Sequence, residues 1–526
     1  MASPQDLLGQ ARAFAQDFPR DQMQPGYLWD VVDYVPMVID AALTGRGGWQ
    51  WGSTAMGGDA VAGILAPFST GEKILVIGAD NQWYEVLPTS PFTATARGAA
   101  LTPAQNPVRW TDTVIAFDGN GAVVPQLLTA PGGTLTIGSS DASAPHAPLG
   151  CVFGAYIVAA GVAGNLNRTY WSYPNQPTHA WDSSSTQDTQ GRITALGSLR
   201  AVILVFHPGF VERIRGTTPP SSAGAQTGDL LNEFLFDRIG CLDPKTIAYW
   251  MENVVWADQH GVHISDGAVV RNLCTQGNIL YFWRNLWSLK VTAAGCTFLD
   301  YYIITIRRSD GSNYTLVCDL NRRQWFRLSN FYAQLLFASA GSVNIERAWG
   351  GMAGTNRLGL VGPMFFPTLG SVIQQDGDGT NVMPVFETPY YRLGGTGRKR
   401  TRNVYLEYDM RTATSRGVNG NSPAEWRGVF HDETELEAAM EEPPPPPAPV
   451  LQAIAPVVEV DYIFHPEDAY TSAGGMPPST NQMRRKLPIR GAPYGVGFRV
   501  KQLLPTSATR VYKLEVEAGM MEKSRL

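Results

Sequence analysis

The sequence predicts an all-β fold: a β-propeller with an N-terminal arm before it and a C-terminal β-sandwich after it. Three observations lead there. The composition is that of a turn-rich globular chain, with 54 glycines, 37 prolines, 10% aromatic residues and only 17% charged residues among 526, where the usual charged share is about a quarter. Short β-prone runs joined by turns of Asp, Asn and Gly recur along the chain. These turns follow one another at intervals of about 35 to about 60 residues, which brackets the roughly 40–50-residue period of propeller blades.

The same composition excludes several classes. Disorder needs high charge and few aromatics, and a coiled coil needs Glu, Lys and Leu in excess. With 41 basic and 46 acidic residues the net charge is −5, so no net basic charge marks a generic nucleic-acid binder. Taking about 150 residues per domain gives three to four domains, and two or three is the expectation because a single β domain can run large. The opening MASPQDLLGQARAFAQDFPRD has no apolar signal-peptide core, and no run approaches about 18 apolar residues, so neither a secretory leader nor a membrane span is expected. Cys151, Cys241, Cys274, Cys296 and Cys318 are scattered and never spaced as CxxC. They read as buried thiols in a reducing compartment rather than as a disulfide framework or zinc site.

Residues 1–54 form the arm, which ends in the unusual run RGGWQWGS (46–53). Residues 55–385 carry seven hairpin signatures: ILVIGADNQWYEV (74–86), TVIAFDGNGAVV (113–124), YIVAAGVAGNLNRTYWS (156–172), AVILVFHPGFVERI (201–214), VVWADQHGVHISDG (254–267), YTLVCDLNRRQWFRL (314–328) and WGGMAGTNRLGLVG (349–362). Each joins two β-prone runs through residues that tolerate positive φ. Asp118-Gly119-Asn120-Gly121 and Asp310-Gly311 can place left-handed residues with little strain. A single hairpin cannot bury its faces, so such units must stack. Radial stacking is one solution, and a series of β-sandwiches would give similar spacing.

Residues 386–526 form the sandwich. FETPYYRLGGTGRKRTRNVYLEYDM (386–410) reads as a β run, a Gly-rich basic turn and an alternating strand. That strand puts Val404, Leu406 and Tyr408 on one face and Tyr405, Glu407 and Asp409 on the other. HDETELEAAMEE (431–442) is a candidate acidic helix, ended by Pro443–Pro447, a stiff polyproline II run. Together they mark a proline-rich insertion near 431–450. β runs resume at VVEVDYIFH (457–465), YGVGFRVKQLL (494–504) and RVYKLEVEAGM (510–520).

Few residues invite chemistry. His260 and His263 are the nearest thing to a metal pair, but i and i+3 on a strand face opposite ways. Packed hairpin histidines are the plainer reading. Asp376-Gly377-Asp378-Gly379 resembles half a calcium loop without the remaining ligands. The acids of 432–442 read as a solvated loop rather than a glycosidase pair. Arg398-Lys399-Arg400 with Arg402, and Arg484-Arg485-Lys486, read as protein contacts or solvated turns. No GxGxxG opening a helix, P-loop, GxSxG, HExxH or Asp box is present. The abundant Trp and Tyr are expected mostly in packing between blades, with exposed ones free to meet glycans or subunits. No catalytic, cofactor-binding or metal-ligating residue is expected, and no cofactor.

One stretch goes further. GRITALGSLRAVILVFHPGFVERIRG (191–216), followed by IGCLDPKTIAYWMENVVWADQHGVHISDG (239–267), resembles the β-propeller of bacteriophage tail proteins, the nozzle and minor tail protein family. The pattern is carried by Val205, Phe206, Val211, Arg213, Ile214 and Gly216. It continues through Gly240, Cys241, Pro244, Lys245, Thr246 and Ile247, and then through Trp256, Asp258, Gly261, Val262, Asp266 and Gly267. More weakly, 28–53 is similar to the family's start and 387–409 to its exit into a β-sandwich platform. The proline-rich insertion is no part of the pattern.

The resemblance implies a structural component of a virion tail, assembled in the bacterial cytoplasm. It would form or extend the tail channel for DNA ejection. Its partners would be further copies of itself in a cyclic ring, other tail proteins (tube, adaptor or fibre) and DNA only in transit. A mildly acidic chain suits a channel that must not grip phosphates. The alternative is a propeller binding module for a host surface glycan or receptor. A polysaccharide hydrolase is the remotest reading, because it needs two convergent carboxylates.

Overall fold

The computed structural model of the chain describes residues 5–6, 13–14, 27–36, 43–45, 49–87, 92–175, 181–221, 228–340, 346–361, 378, 382, 384–387, 391–392, 399–411, 458–463, 469–476, 483–491, 495–502 and 508–520. The acidic run 432–442 and Pro443–Pro447 lie outside them, as do three of the four residues of the 376–379 loop.

The fold is all-β and multi-sheet, and resembles a propeller-like scaffold. Seven antiparallel four-stranded units follow one another. Their first strands are Ala60–Phe68, Val108–Trp110, Leu149–Phe153, Ala195–Ser198, Ala248–Trp250, Lys290–Phe298 and Ala333–Ala340. The first six units take their strands in chain order. Among the described residues the seventh has three of its own, and Gln50–Trp51 from the N-terminal segment supplies the fourth, pairing with Arg357–Leu360.

Each hairpin signature lands in a different unit. In five units it joins the second and third strands. In the second unit 113–124 holds the second strand, but its expected second run, Ala122–Val124, is loop, and the third strand begins at Gln126. The run 314–328 is instead the third and fourth strands of the sixth unit, Asn313–Asp319 and Gln324–Leu328. The middle hairpin of that unit turns at Asp310-Gly311, where Gly311 has a φ of 83°.

The strands alternate as pleating requires, and their buried faces meet between units. Ile77 and Trp83 of the first unit pack with Val114 and Leu128 of the second. Ile115 and Phe117 of the second pack with Ile157 and Ala159 of the third. Val158 and Trp171 of the third pack with Ile203 and Val205 of the fourth. Phe206 of the fourth packs with Val254 and Trp256 of the fifth. One larger core spans units five, six and seven. The remaining cluster joins Leu335, Phe337, Trp349 and Leu358 of the seventh unit to Leu65, Ile74 and Val76 of the first.

The N-terminal segment does more than precede the units. Asp30–Val32 pairs with the last strand of the sixth unit at Arg327 and, on its other side, with Val385–Glu387. That sheet continues through Gly495–Gln502 and Val458–Ile463 to Thr471–Met476. A second sheet orders Met483–Gly491, Lys399–Arg411, Ala508–Met520, Leu43–Gly45 and Tyr34–Pro36. Strands are found where 457–465, 494–504 and 510–520 were expected. Lys399, Arg400 and Arg402 lie in a strand rather than a turn, and so do Arg484, Arg485 and Lys486, beside it in the same sheet. The arm is pinned by Arg327, which donates to the Asp30 carboxylate, and by Ser329, which donates to Asp33.

Two short helices, Leu273–Gln276 and Leu280–Ser288, bridge the fifth and sixth units. Asn272 caps the first through Thr275 N–H, at 3.0 Å. Trp283 roots the second, donating to the Asp258 carbonyl at 2.8 Å.

Candidate functional site

A single cavity of about 630 Å³ has walls from all seven units. Val61 comes from the first, Gly119 from the second and Leu149 from the third. Ile193 leads into the fourth and Lys245 into the fifth. Ala293 belongs to the sixth and Gln334 to the seventh. Most of these positions lie where a first strand begins, so the cavity sits at one end of those strands.

Lys245 is held there by its loop. Pro244–Thr246 makes one 3₁₀ turn, with Thr246 N–H and its hydroxyl both donating to the Asp243 carbonyl. Tyr302 donates to the Thr246 carbonyl at 2.7 Å. The ammonium of Lys245 then reaches the Val61 carbonyl, 2.7 Å away on the first unit. Burial pushes this lysine below its ordinary pKa. Asp243 pairs with Lys290 at 2.5 Å. Arg192 and Arg307 complete the charged lining.

The residues that carry the sequence pattern turn out to be fasteners. Asp258 accepts from Gly240 N–H (3.1 Å), His260 N–H (2.7 Å) and the His263 ring (2.8 Å). Asp266 accepts from Ala268 and Val269 N–H, and Gly267, at φ 87°, presents its carbonyl to Arg213 at 2.8 Å. A side chain on Gly240 would meet the His207 carbonyl at 2.2 Å. Cys241 is a buried thiol whose pKa burial pushes up to about 12, which leaves it a small hydrophobe rather than a nucleophile. All five cysteines are buried thiols.

His260 and His263 are not brought together as ligands. His263 is buried against Asp258, whereas the His260 ring lies by Gln259. Among the described residues no group of three or more His, Cys, Asp or Glu is placed to hold a metal. Among the cavity's described lining residues, Asp243 is the one carboxylate, and Lys290 occupies it. A glycosidase pair is therefore not assembled there. Among the described residues seven tryptophans are fully buried, Trp83, Trp171, Trp256 and Trp349 among them in the cores between units. The cavity cations themselves went unread in the sequence: Lys245 stood only as part of a pattern, and Arg192 and Arg307 carried no signal.

No family model matches the chain, and no curated protein does. Solved structures similar to it include BamB from Moraxella catarrhalis, at 11% identity and a TM-score of 0.34 over 62% of this chain and 93% of that one. The RRP9 WD40 repeats are similar at 9% identity and a TM-score of 0.38, over 60% of this chain and 98% of that one. U3-55K is similar at 10% identity and a TM-score of 0.36, over 60% and 99%. Likeness at this level says nothing of function, and the architecture rests on the chain's own strand pairing.

Proposed function

We propose that the chain is a non-enzymatic interaction scaffold: a propeller of seven blades, closed by its N-terminal strand and joined to a β-sandwich platform. One observation carries this reading, the single cavity walled by all seven units. A radial arrangement explains it, whereas a linear series of sandwiches would give separate cavities. The core between the seventh and first units supports the same closure. Such a ring leaves only short, protected sheet edges and presents its loops on two faces for binding.

The setting we propose is a bacteriophage tail, as nozzle or minor tail protein, on the strength of the pattern from Val205 to Gly267. Copies would form a cyclic ring with heterologous interfaces and contact tube, adaptor or fibre proteins. Lys245 crosses the bore of one chain to Val61, and a duplex whose major groove alone is about 12 Å wide does not fit past it. DNA in transit would therefore follow the axis of the ring of chains, not the bore of each propeller. The second reading, a binding module for a host surface glycan or receptor, shares the same scaffold and draws on exposed aromatics such as Tyr249 and Tyr281.

Immunogold labelling of phage particles from the source culture separates the two. Gold at the tail or the tail–head junction is the expected result. Absence of gold, with an antibody that recognises the native chain, would remove the tail setting. Glycan-array binding of the purified chain would then be the sign of the second reading.

A further inference from the structure

We infer that the central cavity is a binding site for a small multivalent oxyanion, the phosphate of inorganic phosphate, pyrophosphate or a phosphate ester. The inference rests on charge and on a concave, half-open cavity. Arg192, Lys245 and Arg307 line the cavity, and among the described residues no carboxylate pairs with any of them. The nearby Asp243 is neutralised by Lys290. A chain of net charge −5 thus places three uncompensated cations along one cavity.

Like charges gathered around one cavity repel one another, so such a set is stabilised by an anion between them; Arg192 and Arg307 are exposed and Lys245 is half-buried. Cavity walls also focus the field and raise the local concentration of anions. Lys245 is the sharpest case. Its ammonium is largely withdrawn from water with a neutral carbonyl as partner, and burial already disfavours its charged form. An anion would restore what burial removes.

The donors suit phosphate. Two guanidinium forks can each chelate a pair of oxygens, and an ammonium supplies a point charge. A volume of about 630 Å³ lies within the usual range for small-molecule sites, so the cavity admits an ester as well as a free anion. This site does not depend on the tail setting, only on the cavity.

Isothermal titration of the full chain with phosphate, pyrophosphate and adenosine monophosphate tests the inference. Saturable one-to-one binding of at least one probe is expected, weakening as salt is raised. Pyrophosphate binding tighter than the monophosphate ester marks a free anion as the ligand, and the reverse order marks an ester. Arg307→Gln, on an exposed side chain, and Lys245→Met should each weaken binding about tenfold or more. Lys245→Arg should largely retain it. Arg109→Gln, an exposed arginine outside the cavity lining, should leave it unchanged. If no probe saturates with the native chain, the site does not exist. Binding that survives equally in Arg307→Gln, Arg192→Gln and Lys245→Met overturns the inference as well. Because the native chain is itself decisive, a misfolded variant cannot hide the result.

Discussion

His207 and Glu212 hold the same hairpin positions in the fourth unit that Asp258 and His263 hold in the fifth. Both pairs are five residues apart and fully or nearly buried, at 3.0 and 2.8 Å, with acid and imidazole exchanged. The geometry of the hairpin is kept while the order of the partners is reversed, as expected if the pair serves to lock the turn. Replacing Asp258 by Ala orphans three donors, two of them backbone N–H groups. It should cost about 2–4 kcal/mol of stability in denaturant unfolding. His207 adds a pH dependence. Burial, outweighing the Arg192 carbonyl and Glu212, lowers its pKa. The unfolded chain therefore binds a proton first as pH falls below about 6.5. Stability from this group is complete above that pH and declines on acidification, by up to about 1.4 kcal/mol per pH unit. The decline should become shallower in His207→Gln, measured by urea unfolding at pH 5 to 7.5.

At the scale of elements, legibility followed turn chemistry. Middle hairpins announced themselves through residues that accept positive φ, such as Asn81, Gly164 and Gly354. Three of the first hairpins did not. Thr111, Met251 and Leu299 take φ values of 47°, 52° and 51° there, and none of these residue types signals a turn. In the sixth unit the signature 314–328 fell on the outer strand pair, although the Asp310-Gly311 turn of the middle hairpin was itself readable. The role of Gln50–Trp51 was out of reach, because a two-residue strand has no periodicity to read and its partner lies some 300 residues away in sequence. Tertiary packing makes it a strand. Gly52 N–H donates to the Leu358 carbonyl at 2.8 Å, and Arg357 lies over the Trp51 ring, 5.0 Å from its centre. A Cβ on Gly52 would sit 2.4 Å from the buried Trp349 ring. Gly52→Ala should therefore cost about 1–3 kcal/mol through overpacking, read as a lower urea midpoint with unchanged slope.

For the whole molecule, composition and turn spacing were enough for an all-β, multi-sheet chain, because those properties follow from local pattern. The cavity was not legible. Arg192, Lys245 and Arg307 sit in the approaches to, or strands of, the fourth, fifth and sixth units. No local rule says which ends of those units face one another. Nor could net charge disclose a cationic interior in an acidic chain, since the acidic residues that outweigh it lie elsewhere. The involvement of Asp30–Val32, Tyr34–Pro36 and Leu43–Gly45 in the two C-terminal sheets was equally hidden. Pairing between segments so far apart in sequence leaves no local signal to read.

The central claim is that the N-terminal strand completes the seventh unit and so closes the ring. Gln50 is the strand partner of Leu360. The native cysteines are all buried, so a Gln50→Cys, Leu360→Cys pair can be oxidised without competition from surface thiols. The account predicts near-complete disulfide formation within the monomer, a gel-mobility shift reversed by reductant, and a higher melting temperature in the oxidised form. A pair that stays reduced under mild oxidant, or links only between chains, would show that Gln50–Trp51 does not occupy the seventh unit.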